Sequence, residues 1–453
     1  MKQILNKIVV TVALILIGTL LFAGGSKEKK GDEQVVEFWH SNSGLLGDAT
    51  TTLVRQFNQG IGAEKGIVVK EVYQGKAADV ATKLRAALQS GRAQNLPNLA
   101  QVDATGVMDV RDSHSVVSIQ SLVDKDPEFS LDQLLPAAVL SMTYKSEMIG
   151  MPFNASTILL YYNKDAFQEV GLDPERPPQT LSELALYAAK LVKRSADGKV
   201  ERYGFAGVPT SYELVSWIGQ QKGLSYLTDK LNGHEGNPTK VLFDSEGTLA
   251  AFLSKWQEVY DLGGLGNVTS DVRQLFLAQK TAMFATSTSS LSTVLEAAEG
   301  EFAVGVGYLP KVDEQATGGV NVGGGAIFLF DNGKDAQSAA SWEFLKFLMS
   351  ESSQLYWHQQ TGYFPVAKGT YELEEFADHI AKHPLFAVAI NQLHDSNPRL
   401  QSVWWPNGYQ AYYEIQNAII EMLEKGKSID QTVKDLSAVL NGFMEEYNRM
   451  NKE

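Results

Sequence analysis

Asp103, with Glu71 or Glu213 as a second carboxylate, has the residue types of an acid–base pair. A glycoside hydrolase needs two carboxyl groups across one bond, one of them with a raised pKa. No spacing singles out a pair here, so a carbohydrate-active hydrolase stays an alternative. His379 and His383 stand at i and i+4, which can chelate a metal on a helix face. No glutamate follows His379 as in the metalloprotease helix, and Glu372, Glu374, Glu375, Asp378 and Lys382 around it describe a solvated face. There is no G-x-S-x-G elbow, phosphate-binding loop or dinucleotide fingerprint, and Gly323-Gly324-Gly325 lacks the required spacing. No catalytic residue, metal or cofactor is expected. What remains is binding chemistry. Trp39-His40-Ser41 sets a flat face, an imidazole and a hydroxyl side by side, as a polar, hydroxylated ligand requires.

The elements that must position these groups alternate between strand and helix. Strands are expected at 35–39, 66–73 and 99–102, with helices at 51–58 and 80–90 between them. Such alternation predicts a parallel sheet covered on both sides. Trp39, His40 and Ser41 then end the first strand, where an open parallel sheet presents its carboxyl edge to ligand. A second α/β block is expected to begin near Gly150, with a strand at 158–162. Thr180 and Glu183 form a capping box for a helix running to about Arg194. Further strands are expected at 282–285, 302–308 and 326–330, and the chain is mostly helical from Ala336 onward.

With 453 residues the chain is too long for one ordinary core, so two lobes are expected. A formal charge of -14 argues against a nucleic-acid partner, which demands a basic face. The absence of cysteine excludes disulfides and thiolate sites and suits an oxidising compartment. Lys2 and Lys7, the apolar run 8–23 and the small residues Ala23-Gly24 read as a signal peptide over 1–24, followed by a charged tether over 25–34. The apolar run is shorter than the roughly 20 residues of a comfortable membrane span. Gly24 or Gly25 stands where a lipid-anchored protein carries cysteine, so export without a lipid anchor is expected, to the periplasm or cell surface.

Several segments, in order, carry a resemblance. Gly150-Met151-Pro152-Phe153-Asn154 running into Leu160-Tyr161-Tyr162-Asn163-Lys164 resembles the signature of the extracellular solute-binding proteins of ABC importers, the family that includes maltose- and glycerol-3-phosphate-binding proteins. Phe38-Trp39-His40-Ser41, Gly171-Leu172-Asp173-Pro174, Ala282-Met283 with Ser287 and Ser290, Gly323-Gly324 and Trp357–Tyr363 resemble its glycerol-3-phosphate branch. The resemblance covers nearly all of the chain after residue 34. It implies a periplasmic-binding-protein-like α/β fold: two discontinuous lobes, 35–142 plus 286–327 and 143–285 plus 328–453, joined by a multi-strand hinge that closes on a solute. It also implies a small-molecule solute and importer permease subunits as partners, and a monomer. By similarity, Ser156, Ser287, Gly324 and Tyr363 are expected at the ligand.

The departures from that branch are as informative. Ala77, Ala104 and Leu181 replace a tyrosine, a carboxylate and a tryptophan, and the phosphate-binding arginine falls on Tyr412 or Tyr413. Burying a phosphomonoester without a cation is costly, and Arg399 or Lys76 are the candidates to compensate. Asp103 beside Ala104 adds negative charge. A less anionic ligand is therefore expected: a glycerophosphodiester with a cationic head held by Asp103 and by Trp217, Trp404, Trp405 and Tyr412, or a neutral oligosaccharide.

Overall fold

The computed structural model describes residues 33–451. The signal peptide expected over 1–24 and residues 25–32 of the tether lie outside that range, and Gln34 already belongs to the first strand. Among the described residues, no helix is long and apolar enough to cross a membrane.

The first half of the chain supplies β1 (Gln34–His40), β2 (Ile67–Tyr73), β3 (Leu99–Asp103), β4 (Val116–Val117), a separate hairpin of β5 (Thr143–Tyr144) and β6 (Glu147–Met148), and β7 (Met151–Ser156). One residue, Thr157, separates β7 from β8 (Ile158–Asn163). Then follow β9 (Lys193–Arg194), β10 (Val200–Ala206), β11 (Leu265–Gly266), β12 (Thr281–Ser287), β13 (Val304–Tyr308) and β14 (Gly323–Phe330). They build two six-stranded sheets, one ordered β2-β1-β3-β14-β4 with β7 on β14, the other β11-β10-β12-β8-β13 with β9 on β10.

Both sheets are mixed rather than parallel. β1 runs parallel to β2 and β3, and β10 runs parallel to β11 and β12. β14, arriving from the other lobe, runs antiparallel to β3 and β7, and β8 runs antiparallel to β12 and β13. A strand that enters from across the hinge comes in reversed, which local periodicity does not encode. These two strands are apolar at nearly every position because helices cover both faces of each sheet. Along β14, Ile327 and Leu329 join one core while Ala326, Phe328 and Phe330 join the other. Along β8, Ile158, Leu160 and Tyr162 face one core, and Leu159 and Tyr161 the opposite one.

Sheet membership corrects the expected lobe boundaries. β7 lies in the first sheet, so the second lobe begins at β8 and not at residue 143. β13 lies in the second sheet, so the stretch from 286 to 308 does not belong to the first lobe. The chain re-enters the first lobe with β14 and stays there for the helices Asp335–Leu348 and Glu351–Thr361, which pack on its core through Phe344, Leu345 and Trp357. The helices Gly408–Lys425 and Ile429–Met450 return to the second core through Ile415, Ile419, Leu436 and Leu440.

The Thr180 cap forms in half: its hydroxyl accepts from Glu183 N at 3.2 Å, while the Glu183 carboxylate accepts from Gln179 N instead. That helix ends at Leu191, short of Arg194, which lies in β9.

Candidate functional site

The carboxyl ends of β1, β2 and β3 are His40, Tyr73 and Asp103, and those of β10 and β12 are Ala206 and Ser287. β14 and β7 bring the two edges together at a glycine-rich register. Gly323, Gly324 and Gly325 pair with Ser156, Ala155 and Asn154, and Gly325 also pairs with Asp103. Asp103, Gly325 and Asn154 thus share one rung across three strands. Gly324 has φ +91, and a Cβ there would collide with the Asn154 carbonyl oxygen, so only glycine fits.

A buried polar network holds the first-lobe edge. Gln101 accepts from Ser41 N at 3.1 Å and donates to Asn42 at 3.1 Å; Asn154 donates to Asn42 at 3.2 Å, and Asn42 donates to Thr50 at 2.9 Å. These bonds fix the loop after β1 relative to β3 and β7.

Ser156 is buried, and its hydroxyl lies 3.1 Å from the Tyr212 hydroxyl. Tyr212 opens the helix Ser211–Gly219, set at the end of β10 by the reciprocal Thr210–Glu213 cap. A Cβ on Gly323 would come within 2.5 Å of the Tyr212 ring, so the glycine makes room for it. Burial pushes the Tyr212 phenol up to about 12, against the opposing hydrogen bonds of Ser156 and Ser287. Burial likewise raises Tyr363, opposed by hydrogen bonds to Asn154 and Ser289 and reinforced by the charge of Asp103. Tyr363 stacks on Trp357 with ring centroids 5.8 Å apart. Ser287 accepts from Ser289 N at 3.2 Å through its hydroxyl and from Tyr161 OH at 3.0 Å through its carbonyl. Ser156, Ser287, Gly324, Tyr363 and Asp103 therefore gather around Tyr212 and Asn154.

Asp103 accepts from Gly106 N at 3.0 Å and, from the other lobe, from Tyr409 OH at 3.0 Å. Burial pushes its pKa up, with the Tyr409 bond opposing. His40 is 4% exposed, its Nε2 sits 3.7 Å from Glu71, and burial lowers its pKa to about 4. It stands at the edge as a neutral imidazole. Trp39 points its indole N–H at Glu37, at 2.5 Å, and packs half-buried against a first-lobe core. Tyr412 lines a neighbouring cavity of about 270 Å³ together with Thr210, Glu213, Arg273, Thr286 and Ser290.

Three aromatics expected at the ligand are core instead. Trp217 is 1% exposed, stacks on Phe252 at 5.0 Å and donates to Pro310 O at 3.0 Å. Trp404 and Trp405, at 0% and 1% exposed, fill the first and second cores respectively. Their apolar surface is worth more buried than lining a wet cleft. Arg399 and Lys76 are both exposed, Arg399 beside Tyr226, and neither joins the cluster. The candidate carboxylate partners are engaged elsewhere: Glu71 faces His40, and Glu213 caps Thr210 with a 2.8 Å bond to its N–H. His379 and His383 have ring centroids 4.9 Å apart, yet no group among the described residues has the three ligands a metal needs.

Sequence reasoning missed Tyr212, Tyr409, Asn154 and Arg273. The Thr210-x-x-Glu213 cap was legible, and it would have placed a helix start, with Tyr212 on it, just after β10.

A profile described as bacterial extracellular solute-binding protein matches residues 52–387. The chain is 31% identical over 376 residues to the sn-glycerol-3-phosphate-binding periplasmic protein UgpB of Pectobacterium atrosepticum, covering 80% of each chain. It is 28% identical over 369 residues to that of Escherichia coli K12, covering 80% and 81% of the two chains. Among solved structures, UgpB of Mycobacterium tuberculosis in complex with glycerophosphocholine superposes with a TM-score of 0.76 at 22% identity, covering 92% of this chain and 99% of that one. The cyclic alpha-maltosyl-1,6-maltose binding protein of Arthrobacter globiformis gives 0.72 at 19%, covering 91% and 99%. Two α/β lobes meeting at a hydroxyl-lined edge, and these likenesses, lead to one assignment: the chain belongs to the bacterial extracellular solute-binding proteins, the exported components that capture a small solute for an ABC-type importer.

Proposed function

We propose that the solute is a glycerophosphodiester of low net charge, captured between the lobes by a monomer that binds without catalysing. The carrying observation is the buried Asp103 carboxylate, bonded by Tyr409 across the cleft and within electrostatic reach of Tyr363. A carboxylate flanked by phenol rings suits a cationic head group, whereas it repels the double charge of a phosphomonoester. With the tryptophans in the cores, the aromatic partners for that head group are Tyr363 and Tyr409. The relatives named for sn-glycerol 3-phosphate and the structural neighbour holding glycerophosphocholine support the glycerol-phosphate class.

A second reading, a neutral oligosaccharide, is favoured by the hydroxyl and amide cluster of Ser156, Tyr212, Ser287 and Asn154, which would suit sugar hydroxyls equally well. The hydrolase alternative finds no support: Glu213 is engaged by Thr210, and the relatives are named as solute-binding proteins. Calorimetry with glycerophosphocholine, glycerol 3-phosphate and maltose decides. Tight binding of glycerol 3-phosphate with no binding of the diester or sugar sinks the proposal.

A further inference from the structure

Where the resemblance implies a phosphate-binding arginine the chain carries Tyr412 or Tyr413, and a guanidinium stands on the cavity wall that Tyr412 lines. Arg273 lies on the short helix Val272–Leu277 that precedes β12, and it lines the 270 Å³ cavity with Tyr412, Thr210, Thr286 and Ser290. The cavity opens at the carboxyl edge of the second sheet, since its wall includes Ala206 at the end of β10 and Thr286 near the end of β12. Arg273 is also close enough to the buried Tyr161 for its charge to act on that phenol, and Tyr161 donates to the Ser287 carbonyl. Ser287 follows Thr286 at the end of β12, so the cavity adjoins the cluster at that strand end.

Arg273 is half-buried and forms no hydrogen bond or ion pair among the described residues. An arginine so placed normally satisfies its five donors with a carboxylate or carbonyl. Two carboxylates share the cavity wall, Glu213 and Asp271. Glu213 is engaged by both the N–H and the hydroxyl of Thr210. Asp271 is exposed and makes no ion pair with Arg273. The guanidinium is therefore left to an outside anion, and Thr286, Ser290 and Tyr412 line the same cavity.

We propose that Arg273 holds the phosphate of the bound solute. This rests on the glycerophosphodiester reading and deepens it. One guanidinium matches the single charge of a phosphodiester in a fork of parallel N–H donors and leaves the second charge of a monoester uncompensated. Arg273 and Asp103 together give the cleft one cation and one carboxylate, the complement of a zwitterion carrying a phosphate and a quaternary ammonium.

The test is calorimetry of the purified chain and of Arg273→Gln with glycerophosphocholine, at two salt concentrations. Wild-type binding that weakens by about tenfold or more in the variant, with a shallower salt dependence, is expected. Arg273→Lys keeps the charge without the fork and is expected to fall between the two. Because Arg273 has no protein partner to lose, Arg273→Gln should melt close to wild type; if it does not, Arg273→Lys alone carries the comparison. A wild-type chain that binds glycerophosphocholine no differently from Arg273→Gln and Arg273→Lys overturns the role of Arg273 and leaves the solute class standing. A wild-type chain that does not bind glycerophosphocholine overturns the solute class itself, and this inference with it.

Discussion

The hydroxyls of Ser156 and Tyr212 meet at 3.1 Å, one at the end of the last first-lobe strand before the hinge, the other on the first turn of a second-lobe helix. This contact ties the two lobes at the middle of the candidate cluster. Tyr212→Phe keeps the ring that Gly323 accommodates and removes only the hydroxyl. Loss of one such hydrogen bond costs about 1 kcal/mol, so calorimetry should show solute affinity lowered about fivefold to tenfold. Thermal melting should change little. Unchanged affinity would remove Tyr212 from the site.

Asp103 should trade stability for binding. Burial raises its folded pKa, so its native state loses stability as pH rises from the ordinary carboxylate value through the raised one, and regains it as pH falls. Asp103→Asn removes that penalty while its side-chain oxygen can still accept from Tyr409 and Gly106. The unliganded variant is expected to melt at or above wild type at pH 7. Its affinity for glycerophosphocholine should fall about tenfold or more, because the cation loses its counter-charge. A variant that melts lower and binds equally well would contradict both halves.

Gly324→Ala should damage fold and site together. The backbone at φ +91 disfavours any Cβ, and the Asn154 carbonyl occupies the space it would need. Such strain at a strand pairing costs about 2–4 kcal/mol. A melting temperature lowered by several degrees and lost solute binding are expected. A variant that melts like wild type would mean the β14–β7 register can shift.

Acid should weaken the protein through His358. Burial lowers its pKa to about 4 from 6.5, its Nδ1 lies 2.7 Å from the Tyr363 carbonyl, and His379, Phe376 and Phe386 pack around the ring. A depressed folded pKa gives stability that is present above the unfolded value and is lost as pH falls from 6.5 toward 4. Melting followed from pH 7 to pH 4.5 should decline for wild type and decline less steeply for His358→Asn, whatever that variant's absolute stability. Parallel curves would show that His358 does not carry the acid sensitivity.

Much of the architecture was legible in the residues. The apolar runs of β8 and the end of β14 announce strands buried on both faces, and the Gly150-x-Pro152 segment leading into Tyr161-Tyr162-Asn163 carries the family resemblance. The tyrosines at 412 and 413 and the carboxylate at Asp103 are likewise legible in the sequence, and they motivate the low-charge solute proposed above. These are local properties, fixed by side-chain type and by periods of two or 3.6 residues. What only the tertiary structure decided is which lobe each strand joins and which side chains reach the cleft. Trp404 and Trp405 are adjacent and equally apolar, yet they fill opposite cores. Trp217 looks like a stacking platform and is packed under Phe252, whereas Tyr212, five positions earlier on the same helix, turns its hydroxyl to Ser156. Arg273 becomes a candidate anion holder only because β12 runs beside β10 and brings its helix to the wall that Tyr412 shares. Such neighbours are set by chain reversal at the hinge and by packing between distant segments, and no local spacing records either.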